Sequence, residues 1–148
     1  MIKIITVGKI KEKYFIEAIE EYKKRITKYS KLEIIELSDL NFDKEKTLYE
    51  EGKNILSKIN EKDFVITMEI EGKKMDSIEL SSFIDKNISR NITFVIGGSY
   101  GLSKEVKERS DYKLSFSDLT FPHQLFRIIL LEQIYRSFRI INNESYHK

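Results

Sequence analysis

The sequence predicts an α/β fold: a mainly parallel sheet with helices on both of its faces. Three observations lead there. Short apolar, β-branched runs alternate with amphipathic helical patterns along the chain. One run, Ile92–Ile96, is so dense in apolar residues that it belongs at the centre of a sheet covered on both sides. The chain has 148 residues, the length of one domain, and carries no repeat, linker or low-complexity stretch.

The elements follow in order. Ile2–Val7 is a short buried strand closed by Gly8. Lys13–Lys28 is an amphipathic helix, with Phe15, Ile19, Tyr22 and Ile26 at helical spacing and Tyr29 just beyond. Leu32–Leu37 is a second strand. Asp43–Ile59 is a polar helix with a stripe of Leu48, Ile55, Leu56 and Ile59. Phe64–Met68 is a third strand, expected to end near the turn signal Glu71-Gly72-Lys73. Asp76-Ser77-Ile78-Glu79 has the form of a capping box and opens a helix to about Lys86. After the strand Ile92–Ile96 come a short helix, Ser103–Arg109, and a fifth strand, Tyr112–Phe116. Pro122, tolerated in a first turn, opens a long helix to about Ile141.

That last helix is apolar around most of its circumference, from Leu125 to Ile141, with Glu132, Arg136 and Arg139 as its one polar stripe. Such a helix is buried on most sides. A second copy of the chain would bury it, and so would a central place in the core of one subunit.

Composition excludes several classes. There is no cysteine, hence no disulfide framework or thiolate metal site, and with only His123 and His147 no metal centre is expected. The N-terminal apolar run is too short for a signal peptide, and no run approaches the roughly 20 apolar residues of a membrane span. The expectation is a cytoplasmic protein away from the membrane. Charge is segregated: residues 1–31 hold nine Lys/Arg against four Asp/Glu, residues 32–111 twelve against seventeen, and residues 112–148 five against three. If the two basic ends meet, they form a positive face suited to a phosphate backbone; otherwise the lysines simply solvate a helix.

Ligands of doubly wound sheets sit beyond the carboxyl ends of strands. Phe94-Val-Ile-Gly-Gly-Ser-Tyr-Gly-Leu-Ser103 runs from a buried strand into glycines that let backbone approach a ligand, or that simply make a turn. It lacks the lysine and spacing of a phosphate loop. Leu114-Ser-Phe-Ser-Asp-Leu-Thr-Phe-Pro-His-Gln124 is a loop whose backbone suits an adenine edge and whose Phe116, Leu119 and Phe121 suit its faces; alternatively Thr120 caps the helix that follows. The tail, Asn142-Asn-Glu-Ser-Tyr-His-Lys148, either frays or docks for use. No G-x-S-x-G element is present for serine hydrolysis.

Taken together, Gly97-Gly-Ser-Tyr-Gly-Leu-Ser103, Leu114-Ser-Phe-Ser, Thr120-Phe-Pro-His-Gln124, Leu131-Glu-Gln-Ile-Tyr-Arg136 and Tyr146-His-Lys148 resemble the RlmH family. Val7-Gly8-Lys9, Tyr22, Arg25 and Thr67-Met-Glu-Ile-Glu-Gly72 also fit, so the resemblance runs end to end. This family comprises large-subunit ribosomal RNA methyltransferases of the SPOUT, or trefoil-knot, superfamily. The resemblance implies a Rossmann-like sheet whose C-terminal part is tied into a deep trefoil knot, a single domain over residues 1–148, and a homodimer. It implies S-adenosylmethionine-dependent methylation of nitrogen 3 of a pseudouridine in large-subunit ribosomal RNA, on the assembled ribosome and without a metal. By position, cofactor contacts fall on Met68, Gly97, Phe116, Ser117, Asp118, Leu119, Thr120 and Phe121. The family commonly has leucine at Met68, which is similar in volume. Arg136, Tyr146 and His147 match residues tied to substrate binding or turnover: Arg136 to hold developing negative charge, His147 as a candidate base. Two rivals remain: a SPOUT methyltransferase acting on transfer RNA, and a ribosome-binding protein without catalysis or cofactor affinity.

Overall fold

The computed structural model describes residues 1–148. Its elements are β1 (Ile2–Val7), α1 (Lys13–Ile26), β2 (Leu32–Leu37), α2 (Lys44–Leu56), β3 (Phe64–Lys74), α3 (Ser77–Asn87), β4 (Ile92–Ile96), α4 (Lys104–Arg109), β5 (Tyr112–Ser115) and α5 (His123–Ile141). The strands form one sheet in the order β2-β1-β4-β3-β5, and every pairing is parallel. The expected central strand, β4, lies in the middle and is buried throughout.

Strand side chains alternate between two layers. Ile2, Ile4, Ile66, Ile92, Phe94 and Leu114 pack with Ile19, Ile26, Ile84, Leu130, Leu131, Ile134 and Phe138, which belong to α1, α3 and α5. Ile5, Val7, Val65 and Val95 pack on the opposite face with Ile55 of α2 and Val106 of α4. The helix starts are written into the sequence. Asp43 accepts from Lys46 N at 3.0 Å, and Ser103 from Val106 N at 3.2 Å. The capping box is complete: Asp76 accepts from Glu79 N at 2.7 Å, and Glu79 accepts from Asp76 N at 3.0 Å.

Three expectations need correction. The strand from Phe64 does not stop at a turn; β3 continues to Lys74 through a register shift between Met68 and Lys73. Gly72 is needed there for close approach, because a Cβ would lie 2.8 Å from backbone carbons of Lys113 and Leu114. Pro122 stands at the N-cap of α5, one residue before its first turn, and no side chain, Thr120 included, caps that helix. The polar stripe of α5 is not its only polar feature: Arg127 is 1% exposed and ion-paired with Glu36 at 2.5 Å while donating to Gly8 O at 3.1 Å. Burial holds the Arg127 guanidinium below its usual range, against the opposing pull of Glu36.

The two basic ends do meet. α5 packs against α1, and Tyr29 just after α1 donates to Glu144 at 2.7 Å and stacks on Phe138 with ring centroids 5.5 Å apart. α5 also packs on α3, so much of its apolar surface is buried within the chain. Leu125 remains 38% exposed.

Candidate active site

A cleft of about 390 Å³ opens beyond the carboxyl ends of β4 and β5, beside the middle of β3. That volume falls in the roughly 300–1,000 Å³ range of small-molecule sites. Its backbone floor comes from Gly97, Gly98 and Gly101. A Cβ on Gly97 would stand 2.5 Å from Gly101 O, and Gly101 adopts φ +85°, which glycine accepts freely. Met68, Leu114 and Phe126 give apolar walls. The loop 116–121 closes the other side. Ser115 Oγ donates to Ser117 O at 3.1 Å and Leu119 N to Ser117 Oγ at 3.0 Å, so the loop is held by its own hydroxyls. Phe116 and Phe121 lean on Phe126, with centroids 5.4 and 6.0 Å apart.

Met68, Gly97, Phe116, Ser117, Leu119, Thr120 and Phe121 therefore converge on one cavity. Asp118 does not join them. Its side chain turns away to an ion pair with Lys74 at 2.5 Å and leaves the lining to its neighbours. The wall also holds an acidic feature that the sequence reading did not assign as a site. Glu69 is nearly buried, accepts from Thr67 Oγ1 at 2.7 Å, and has Lys107 at 3.7 Å. The signal was present in Met68-Glu-Ile-Glu-Gly72, two carboxylates that follow the buried first half of β3.

Arg136, Tyr146 and His147 form a second group, further along α5. The tail docks. Glu144 N donates to Arg139 O at 2.8 Å and Asn143 N to Ile140 O at 3.1 Å, with Asn143 at φ 55°, which is a Schellman ending. Arg139 adds an ion pair to Glu144 at 2.7 Å and a bond to Ser145 O at 2.8 Å. Tyr146 then lies edge-on to Tyr135, centroids 4.9 Å apart, and donates to Glu132 at 2.8 Å. Burial, followed by that bond and the charge of Glu132, pushes the Tyr146 phenol up to about 12. Glu132 also holds Arg136 at 2.9 Å, whose guanidinium carbon lies 4.8 Å over the Tyr146 ring. Arg136 Nη1 reaches His147 Nδ1 at 3.1 Å. Glu132, which the sequence places in a polar stripe and in the Leu131–Arg136 motif without a role of its own, is the hub of this group.

The cleft and this group lie apart in one chain. Phe126 borders the cleft and Arg136 does not; ten helical residues separate them by about 15 Å.

A family model described as "Predicted SPOUT methyltransferase" matches residues 1–147. The chain belongs to the SPOUT methyltransferase family. A relative from Methanococcus maripaludis is 57% identical over 99% of each chain. The ribosomal RNA large subunit methyltransferase H of Clostridium perfringens is 54% identical over 99% of each. Among solved structures, the tRNA (m1G37) methyltransferase from Aquifex aeolicus is similar at a TM-score of 0.53 and 16% identity, covering 91% of this chain and 69% of that one. At that identity the likeness shows the SPOUT fold alone. It agrees with the parallel α/β sheet expected from periodicity.

Proposed function

We propose that this SPOUT methyltransferase moves the methyl group of S-adenosylmethionine to nitrogen 3 of a pseudouridine in large-subunit ribosomal RNA. It acts as a homodimer on assembled ribosomes in the cytoplasm. The carrying observation is the convergence of seven of the eight expected cofactor-contact residues on one cleft at the strand ends of the sheet. The name of the Clostridium perfringens relative supports the RNA class.

The cleft fits the cofactor. Backbone of 116–121 offers hydrogen bonds for an adenine edge, Met68, Leu114 and Phe126 offer apolar faces, and the glycines at 97, 98 and 101 leave only backbone along the floor. When bound, S-adenosylmethionine supplies a sulfonium methyl: the lone pair of nitrogen 3 bonds to its carbon while the carbon–sulfur pair returns to sulfur. The protein must therefore hold nitrogen 3 in line and favour its deprotonated form. Arg136, permanently charged and fixed by Glu132, is suited to hold the negative charge that spreads onto a flanking carbonyl.

The separation of Arg136 from its own cleft supports a dimer in which one subunit's α5 and tail complete the other's cavity. Ile70 and Leu119 at the rim and Leu125 in the first turn of α5 stay 50%, 69% and 38% exposed, apolar surface that a second copy would cover. The meeting of basic α1 with the basic C-terminal segment supports an RNA-facing side. Binding to ribosomes is expected to weaken steeply with salt.

Transfer of labelled methyl to intact ribosomes lacking the modification, followed by mapping, tests this reading. Label on one large-subunit pseudouridine is expected. Cofactor binding without label on ribosomes would redirect the search to transfer RNA. Failure to bind the cofactor would leave a ribosome-binding protein without catalysis.

A further inference from the structure

A guanidinium carries five N–H donors, no acceptor and a permanent charge. Arg136 Nη1 lies 3.1 Å from His147 Nδ1, so the only hydrogen bond this pair can make runs from Nη1–H to an unprotonated Nδ1. A neutral imidazole whose Nδ1 is bare keeps its proton on Nε2. A proton on Nδ1 would instead set two hydrogens against each other, and in the doubly protonated ring two positive charges as well.

Arg136 is not free to turn away. Glu132 accepts from its Nε at 3.4 Å and its Nη2 at 2.9 Å, and the Tyr146 ring covers its face. Tyr146 is tied to the same carboxylate by its hydroxyl. The chain of control runs from Glu132 to Arg136 to the tautomer of His147. It reverses the arrangement in which a carboxylate takes Nδ1–H and leaves Nε2 bare as a base. Here a cation occupies Nδ1, and Nε2 is left as a donor.

Resting on the proposed methyl transfer, we infer that His147 donates a hydrogen bond from Nε2 to the pyrimidine carbonyl beside nitrogen 3 and is not the base. Glu132 is the positioning residue that fixes this role through Arg136. The proton of nitrogen 3 passes to water. The charge left on the flanking carbonyls is shared by two donors, Nε2–H of His147 and the guanidinium of Arg136.

Glutamine separates the two roles. Its amide oxygen can accept from Arg136 and its amide N–H can donate, but it cannot take up a proton. With methyl-deficient ribosomes, His147→Ala is expected to lose roughly 10²–10³ in kcat, as removal of one charge-stabilising donor does. His147→Gln is expected to recover at least about tenfold of that loss, with cofactor KM unchanged. His147→Gln as slow as His147→Ala, in a preparation whose wild type is active, overturns the donor role alone. Unchanged kcat in His147→Ala overturns it too. A wild type that methylates no ribosomal RNA overturns the substrate reading and this role with it.

The tautomer is also readable without turnover. In nitrogen-15-labelled protein, the imidazole correlation that disappears in His147→Gln belongs to His147. The pattern of a neutral ring protonated on Nε2 is expected, and Glu132→Gln should blur it toward a mixture of tautomers. A wild-type ring protonated on Nδ1, or already mixed, overturns the inference.

Discussion

The cleft and the C-terminal cluster meet the same helix, α5, yet they are built from opposite materials. The cleft is made of backbone: three glycines, a hydroxyl-braced loop, and apolar walls that ask only for volume. The cluster is made of side chains, one carboxylate holding a guanidinium and a phenol, and the guanidinium holding an imidazole. The cleft should therefore tolerate changes of polarity and fail on added bulk. The cluster should tolerate changes of volume and fail on lost charge or lost fork geometry. In the proposed reaction the one would bind a cofactor of fixed shape and the other would hold a charge that exists only during reaction.

Four experiments would break or sharpen this contrast. The largest effect is expected from Arg136→Ala: kcat down roughly 10²–10³, with the thermal shift by S-adenosylmethionine preserved. Loss of that shift would place Arg136 at the cofactor. Arg136→Lys should recover little, because a point charge lacks the planar fork. Next, Gly97→Ala forces Gly101 O, 2.5 Å from the new methyl, to move. A stability cost of about 1–3 kcal/mol and weakened cofactor binding are expected, measured by denaturant unfolding and calorimetry; unaltered binding would refute the backbone-floor picture. Co-expression of differently tagged Arg136→Ala and Gly97→Ala chains should yield mixed dimers more active than either homodimer, since one composite site stays intact. Strictly additive residual activities would mean that each chain serves its own cleft.

The smallest effect concerns the tail. Tyr146→Phe keeps the ring against Tyr135 and loses one bond to Glu132, about 0.5–1.5 kcal/mol of local stability. The pH sign follows from a phenol raised from 10.0 to about 12 in the folded chain. Its contribution is whole below pH about 10 and is lost as pH rises through about 12. Alkaline titration of tail protection by hydrogen exchange would show it, and a tail that loosens at neutral pH would contradict the docked ending. At the acid end, the buried Lys3–Asp63 pair at 2.9 Å provides the counterpart. Burial pushes the Asp63 carboxyl up, but the Asn60 N–H and the Lys3 ammonium outweigh it and hold it below 3.8. Its stabilisation is present above that value and fades as pH falls below it.

Much of this was legible before any coordinates. Strand β4 was readable as central because its residues are apolar on both faces. The capping box at Asp76 and Glu79 is a local code, satisfied by neighbours three residues apart. Other features were not legible, because they depend on residues far apart in sequence. Gly72 reads as a turn in isolation and proves to be a point where β3 meets the backbone of Lys113 and Leu114. Arg127 carries no signal of its own in the sequence and is buried because Glu36 and Gly8, about ninety and one hundred and twenty residues away, supply its partners. Asp118 sits in a loop that lines the cleft, but Lys74 draws its side chain out.

By itself, then, the sequence determined the alternation of strand and helix, the central strand, the side-chain-capped starts of α2, α3 and α4, and the motifs that mark a SPOUT methyltransferase. All of these are short-range patterns of period, cap and turn. Only the tertiary structure decided that seven of the expected contact residues share one cleft, that the tail folds back onto Glu132, and that Arg136 stands about 15 Å along its helix from that cleft. Those facts rest on contacts across the sheet and between chain ends. Such contacts follow from how the layers pack, and no single segment encodes them.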